Sequence, residues 1–216
     1  INFCLIEKNG IMKLNNYEES KNMKRCKEYR QIGWYAMSKD WGKFILFNIL
    51  AMIVISGISS TGIGIIIVGP FYIGMCLFYL RAVRNQQANY GDLFEPISKG
   101  DFVRTMIMYL LKTIYTLLWT LLFFIPGIIK SYSYAMAEYI AIDNPTMSAS
   151  DCITASRQLM QGRKAKLFLL DLSFIGWIFL TMLTLGVLAI IVAPYQHATR
   201  AAFYEDIRPK IQGQQI

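Results

Sequence analysis

Histidine occurs once in the 216 residues, at His197, and the four cysteines fall at Cys4, Cys26, Cys76 and Cys152 without a C-x-x-C pair. A zinc or iron–sulfur centre needs clustered thiolates or imidazoles, so no metal site is expected. A disulfide framework is not expected either. Cys76 lies inside an apolar run, and the other three lie on the side read below as cytoplasmic. No P-loop and no H-E-x-x-H sequence occurs. Ser173, His197 and Asp171 are the residue types of a hydrolase triad, but no G-x-S-x-G elbow surrounds the serine. The glycines between Thr61 and Gly69 sit in an apolar run with no strand before them, so they read as packing positions and not as a nucleotide loop. No enzymatic activity and no cofactor are expected.

Long apolar runs are what the chain does have. Apolar residues make up 55% of it and the mean hydropathy is +0.37. Concentrated in runs, that excess points to the bilayer and not to a soluble core. The formal net charge is +8. In a soluble domain this would suggest nucleic acid. Here the cations lie between the apolar runs, where membrane topology accounts for them, and no nucleic-acid partner is expected. The first long apolar run begins near Trp41 without a small-residue cleavage site, so no signal peptide is expected.

Three regions follow. Residues 1–40 form a basic cytoplasmic segment, in which 1–11 precede Met12 and need not be native. Its Lys21, Lys24, Arg25, Lys27, Arg30 and Lys39 suit an anchor near anionic lipid, with helix plausible over part of it. Residues 41–205 form the membrane domain and 206–216 a cytoplasmic tail. The expected architecture is an all-α bundle of six transmembrane helices, arranged as three hairpins. The first two spans run from Trp41 to about Ile58 and from Ile63 to about Leu80, and the third from Phe102 to Ile125. The fourth, a weak signal, ends near Ile142; the fifth runs from about Leu167 to Leu183, and the sixth from Val187 to about Phe203. Trp34, Tyr35 and Trp41 are placed as an interfacial belt. Asn48 is expected to hydrogen-bond a neighbouring helix. Ser148-x-x-Asp151 resembles a capping box, and apolar spacing after it predicts an interfacial helix over about 148–161, stopped at Gly162.

Charge sets the expected orientation. Lys and Arg collect in the N-terminal segment, in 81–104, in 157–166 and in the tail. The turns near 59–62, 125–127 and 184–186 carry none, although Lys130 lies close to one. That pattern places both termini in the cytoplasm of a cell membrane protein. The run Gly62 to Phe71 aligns without gaps on Gly186 to Tyr195, which suggests that hairpins one and three are repeats. Gly69, Pro70, Pro126, Gly127 and Pro194 are the candidate kink and packing positions.

Some charge lies at membrane depth. Lys112 is 13 residues from Ile125, Glu138 is 11 from Gly127, and Asp171 is 13 before Thr184. His197 and Arg200 are 11 and 14 residues after Gly186. A helical rise puts all five in one layer roughly 16–21 Å from the outer turns. They are the candidate site: a cytoplasm-facing polar layer that binds lipid or a partner protein or peptide, or that lines a transport cavity. Internal ion pairs and snorkelling are the purely structural alternative.

Several stretches resemble a known family. They are Asp92-Leu93-Phe94, LLWTLLFFIPGIIKSYSYAMAEYI at 117–140, DNP at 143–145, SRQLMQGRKAKLFLLDLSFIGW at 156–177, LTLGVLAIIVAPY at 183–195 and FYEDI at 203–207. In this order they resemble the bacterial integral-membrane proteins of domain-of-unknown-function family 975. The resemblance implies a multi-pass helical membrane protein and brings no catalytic residues.

Overall fold

A computed structural model describes residues 23–59 and 64–208, whose regular structure is all helical, with no strand among them. The helices are α1 Cys26–Ser38, α2 Trp41–Ser59, α3 Gly64–Val83, α4 Glu95–Ser98, α5 Phe102–Leu122, α6 Phe124–Ser133, α7 Ala137–Asp143, α8 Ala149–Leu159, α9 Lys164–Leu172, α10 Ile175–Leu183 and α11 Ala189–Ile207. A short 3-10 turn at Tyr90–Leu93 precedes α4. The turn expected near 59–62 lies largely outside the described residues.

Three helical stretches are long and apolar enough to cross a membrane: Trp41–Ser59, Phe102–Leu122 and Lys164–Leu183, the last running across the joint between α9 and α10. At most 22% of the residues in their apolar windows are buried inside the protein. Such a surface is consistent with a bilayer around it. The other three expected spans are not among these. α3, of 20 residues, is apolar over Ile67–Val83, the stretch of it whose side chains are described. The fourth is divided into α6, of 10 residues, and α7, of 7. In α11 the charged Arg200, Glu205 and Asp206 interrupt the run.

The basic N-terminal segment contributes to the core as well as to charge. Tyr29, Gly33, Ala36 and Met37 recur at helical spacing and are all buried. They lay α1 across α11. The Tyr29 ring meets Phe203 edge-on at 5.3 Å, and its hydroxyl donates to Asp206 Oδ2 at 2.6 Å. Gly33 sets the distance of approach, because a Cβ there would lie 2.9 Å from the Thr199 backbone nitrogen. Trp34 meets Trp41 and Tyr195 edge-on, at 4.9 and 5.6 Å. An anchor on lipid is therefore an incomplete description of this segment.

The second hairpin turns one step earlier than expected. Phe123 is extended and separates α5 from α6, so Pro126 and Gly127 lie within the start of α6 and not in the turn. Proline is tolerated there because the first-turn N–H groups have no intrahelical acceptor. Gly127 keeps the two helices close, since a Cβ on it would lie 2.6 Å from Thr120 Cα. Gly69 is buried against Tyr109 of α5 in the same manner. Pro70 and Pro194 fall inside α3 and α11, which continue past them as single helices and pack on each other. Asn48 is buried, but its amide donates to Met52 Sδ at 3.8 Å within its own helix and, among the described residues, not to a neighbouring helix.

α8 begins as the sequence predicts. Ser148 is the N-cap, its Oγ accepting from the Asp151 N–H at 3.2 Å. Gly162, at φ +75°, ends the segment. Cys152, Ile153, Ala155 and Ser156 are buried, so α8 is packed into the bundle against α5 and α7 and does not merely rest on its surface. Burial pushes the Cys152 thiol up to about 11, which keeps it protonated at neutral pH.

Candidate functional site: paired charges at two helix breaks

Four of the five candidate polar residues meet in two ion pairs. Lys112 Nζ on α5 pairs with Glu138 on α7, whose side chain is almost wholly enclosed. Arg200 on α11 grips Asp171 on α9 with two guanidinium nitrogens, at 3.1 and 2.8 Å. A two-pronged contact of this kind fixes geometry as well as charge. His197 stacks on Tyr79 at 5.3 Å with 17° between the rings, and meets Tyr72 edge-on at 6.4 Å. Lys112 Nζ lies 6.0 Å from the centre of the Tyr72 ring. Tyr72 therefore stands between the Lys112–Glu138 pair and His197. Tyr79 is fully buried, and its hydroxyl has no hydrogen-bond partner among the described residues.

Each carboxylate sits beside a break in its helix. α6 ends at Ser133 and α7 starts at Ala137, with Glu138 in its first turn, where the helix dipole favours an anion. The orphaned backbone groups at this break are satisfied by α8. Ser156 Oγ donates to the Ser133 carbonyl at 2.9 Å and accepts from the Met136 N–H at 3.2 Å. α9 ends at Leu172, one residue after Asp171, and α10 begins at Ile175. Here Arg30 of α1 donates to the Ser173 carbonyl at 3.3 Å. Irregular backbone at membrane depth is tolerated only where the protein supplies such partners.

A second set of charges clasps the ends of the helices. Arg84 donates to both oxygens of Asp143 at 2.8 and 2.7 Å and to Glu205 at 2.8 Å, and the Tyr204 hydroxyl donates to Asp143 at 2.9 Å. Burial disfavours the Arg84 charge, but the two carboxylates outweigh it and raise its pKa further. Arg81 holds Asp92 and Glu95. Partial burial pushes Glu95 upward, yet Arg81 and Lys99 together bring its carboxyl below the ordinary value. Arg104 caps the C-terminal end of α7, donating to the carbonyls of Ala141, Asn144 and Met147. Sequence reasoning missed this clasp. Its partners Arg84, Asp143 and Glu205 are separated by 59 and 121 residues, and no periodicity joins them.

The fold and site define an all-helical protein with membrane-length apolar helices and an internal ion-paired layer set at two helix breaks. Residues 121–210 match the model of the family described as "Protein of unknown function (DUF975)", which bears out the resemblance carried by the motifs of this region. The match takes in Glu138, Asp171, His197 and Arg200, and starts after Lys112. No curated protein and no solved structure matches the chain.

Proposed function

We propose that the protein is a non-enzymatic, multi-pass membrane protein of the bacterial cell membrane that holds lipid or a partner peptide at its polar layer, in an accessory, envelope or immunity-like role. The observation that carries this reading is the placing of Glu138 and Asp171, each paired with a cation from another helix and each next to a break. Charge inside a membrane domain is costly and is retained where it does something. Ion pairs that can open toward the cytoplasm offer both signs of charge to a zwitterionic headgroup or to a peptide terminus. The test is purification of the full chain and of Glu138→Gln in mild detergent, with mass spectrometry of bound lipids and proteins. A bound species lost from a well-folded Glu138→Gln protein supports the reading. An unchanged set in unchanged amounts sinks it.

One observation favours a second reading, a small transporter or permease component. Discontinuous helices flanking a charged layer, together with a hairpin repeat, are recurrent features of transporters. On this reading the pairs at Glu138 and Asp171 open in turn onto a substrate path. Labelling cysteines placed at positions 112 and 171 with water-soluble reagent from either side of reconstituted vesicles separates the two. Transport requires access from both sides, and headgroup binding from one.

A further inference from the structure

Not all the charge in this bundle is matched. Arg81, Arg84, Lys112 and Arg200 all end on carboxylates. Lys130 of α6, Arg157 of α8 and Lys164 of α9 have no acidic partner among the described residues, and yet Lys130 and Arg157 both lie within electrostatic range of Lys164. Three cations from three helices thus share one neighbourhood. The packing that brings them together is well defined. α6 touches both α8 and α9. The Tyr132 ring meets Phe168 at 5.8 Å, and the Ser133 carbonyl accepts from Ser156. Lys130 Nζ is seated 4.5 Å above the Trp119 ring, which orients it without neutralising it.

Like charges gathered without an anion repel, and an incoming anion relieves that repulsion. The surface beside them narrows the kind of anion. Ile128 and Ile129 precede Lys130 on α6, and Phe168, Leu169 and Leu172 follow Lys164 on α9; all five are exposed. Cations and open apolar side chains are continuous along the same two helices, which suits a molecule with a charged head and a hydrocarbon tail. Basic pockets between membrane helices recognise lipid headgroups in this way.

We propose that Lys130, Arg157 and Lys164 form a site for the phosphate of an anionic phospholipid, whose acyl chains lie along Phe168, Leu169 and Leu172. The site does not depend on the ion-paired layer. It also gives a role to Lys130, which topology leaves without one.

The test uses the full chain in mild detergent, titrated with phosphatidylglycerol, phosphatidylcholine or inorganic phosphate, and read by native mass spectrometry and by the shift in thermal unfolding. Phosphatidylglycerol is retained in preference to phosphatidylcholine. Each of Lys130→Gln, Arg157→Gln and Lys164→Gln weakens its retention roughly fivefold, the equivalent of about 1 kcal/mol per cation. Lys27→Gln, on the exposed face of α1, removes the same charge and leaves retention unchanged. Arg157 is itself solvent-exposed, so Arg157→Gln keeps the test valid should Lys130→Gln or Lys164→Gln fail to fold. Equal retention of the two lipids by the unsubstituted protein overturns the proposal, and so does an undiminished preference in Arg157→Gln. Displacement of phosphatidylglycerol by an equal concentration of inorganic phosphate overturns the lipid assignment.

Discussion

Removing the Glu138 carboxylate strands the Lys112 ammonium, and removing both leaves nothing unpaired. Breaking a buried pair from one side costs about 3–5 kcal/mol, whereas replacing both partners by apolar residues is close to neutral. Glu138→Leu is therefore expected to destabilise by about 3 kcal/mol, at the lower end because Lys112 retains some exposure and can reach toward the interface. Lys112→Met combined with Glu138→Leu should recover most of that loss. Denaturant unfolding of the unsubstituted protein, Lys112→Met, Glu138→Leu and the double variant in detergent measures the coupling, and additive losses would show that the pair is not a unit. At this scale the sequence was informative for a specific reason. Helical rise is fixed, so counting from the turns singles out Lys112, Glu138, Asp171, His197 and Arg200, and four of the five meet in two ion pairs. Tyr72 and Tyr79 were not legible. They occupy ordinary apolar positions of α3, and only the packing of α3 on α11 brings them to His197.

Whole helices were legible where an end signal is local. Ser148 with Asp151 announces the start of α8, and Gly162 its end. Breaks were not legible, because the groups that permit them come from elsewhere in the chain. Nothing in YSYAM at 132–136 marks the end of α6; the break is held open by Ser156, some twenty residues later. Ser156→Ala removes the donor to the Ser133 carbonyl and the acceptor for the Met136 N–H. Leaving buried polar groups unsatisfied costs about 1–3 kcal/mol. The loss should be local. Hydrogen exchange at Met136 and along the first turn of α7 should accelerate, with little change in α2 or α5. Unaltered exchange at Met136 would mean that the break persists without Ser156.

The number of crossings is a property of the whole molecule, and two answers follow from different evidence. Charge distribution gives six spans with both termini on the same side. Length and apolarity give three: Trp41–Ser59, Phe102–Leu122 and Lys164–Leu183. The two counts differ at α3, whose apolar stretch is Ile67–Val83, at the divided α6 and α7, and at α11, where Arg200, Glu205 and Asp206 interrupt the run. Three exposed positions separate the answers: Gln87, Ile125 and Leu185. With six spans Gln87 is cytoplasmic, while Ile125 and Leu185 face outward. With three, Gln87 and Leu185 fall on one side and Ile125 on the other. Single cysteines at these sites can be probed with a membrane-impermeant maleimide on intact and on lysed cells, after Cys4 and Cys26 are replaced by serine. Cys76 and Cys152 can stay, since both are buried and the Cys152 thiol remains protonated at labelling pH. The charge argument predicts labelling of Ile125→Cys and Leu185→Cys on intact cells, and of Gln87→Cys only after lysis. Should Gln87→Cys and Leu185→Cys label together and Ile125→Cys oppositely, the hairpin containing α6 and α7 does not recross the bilayer, and Glu138 belongs to a re-entrant segment and not to a span.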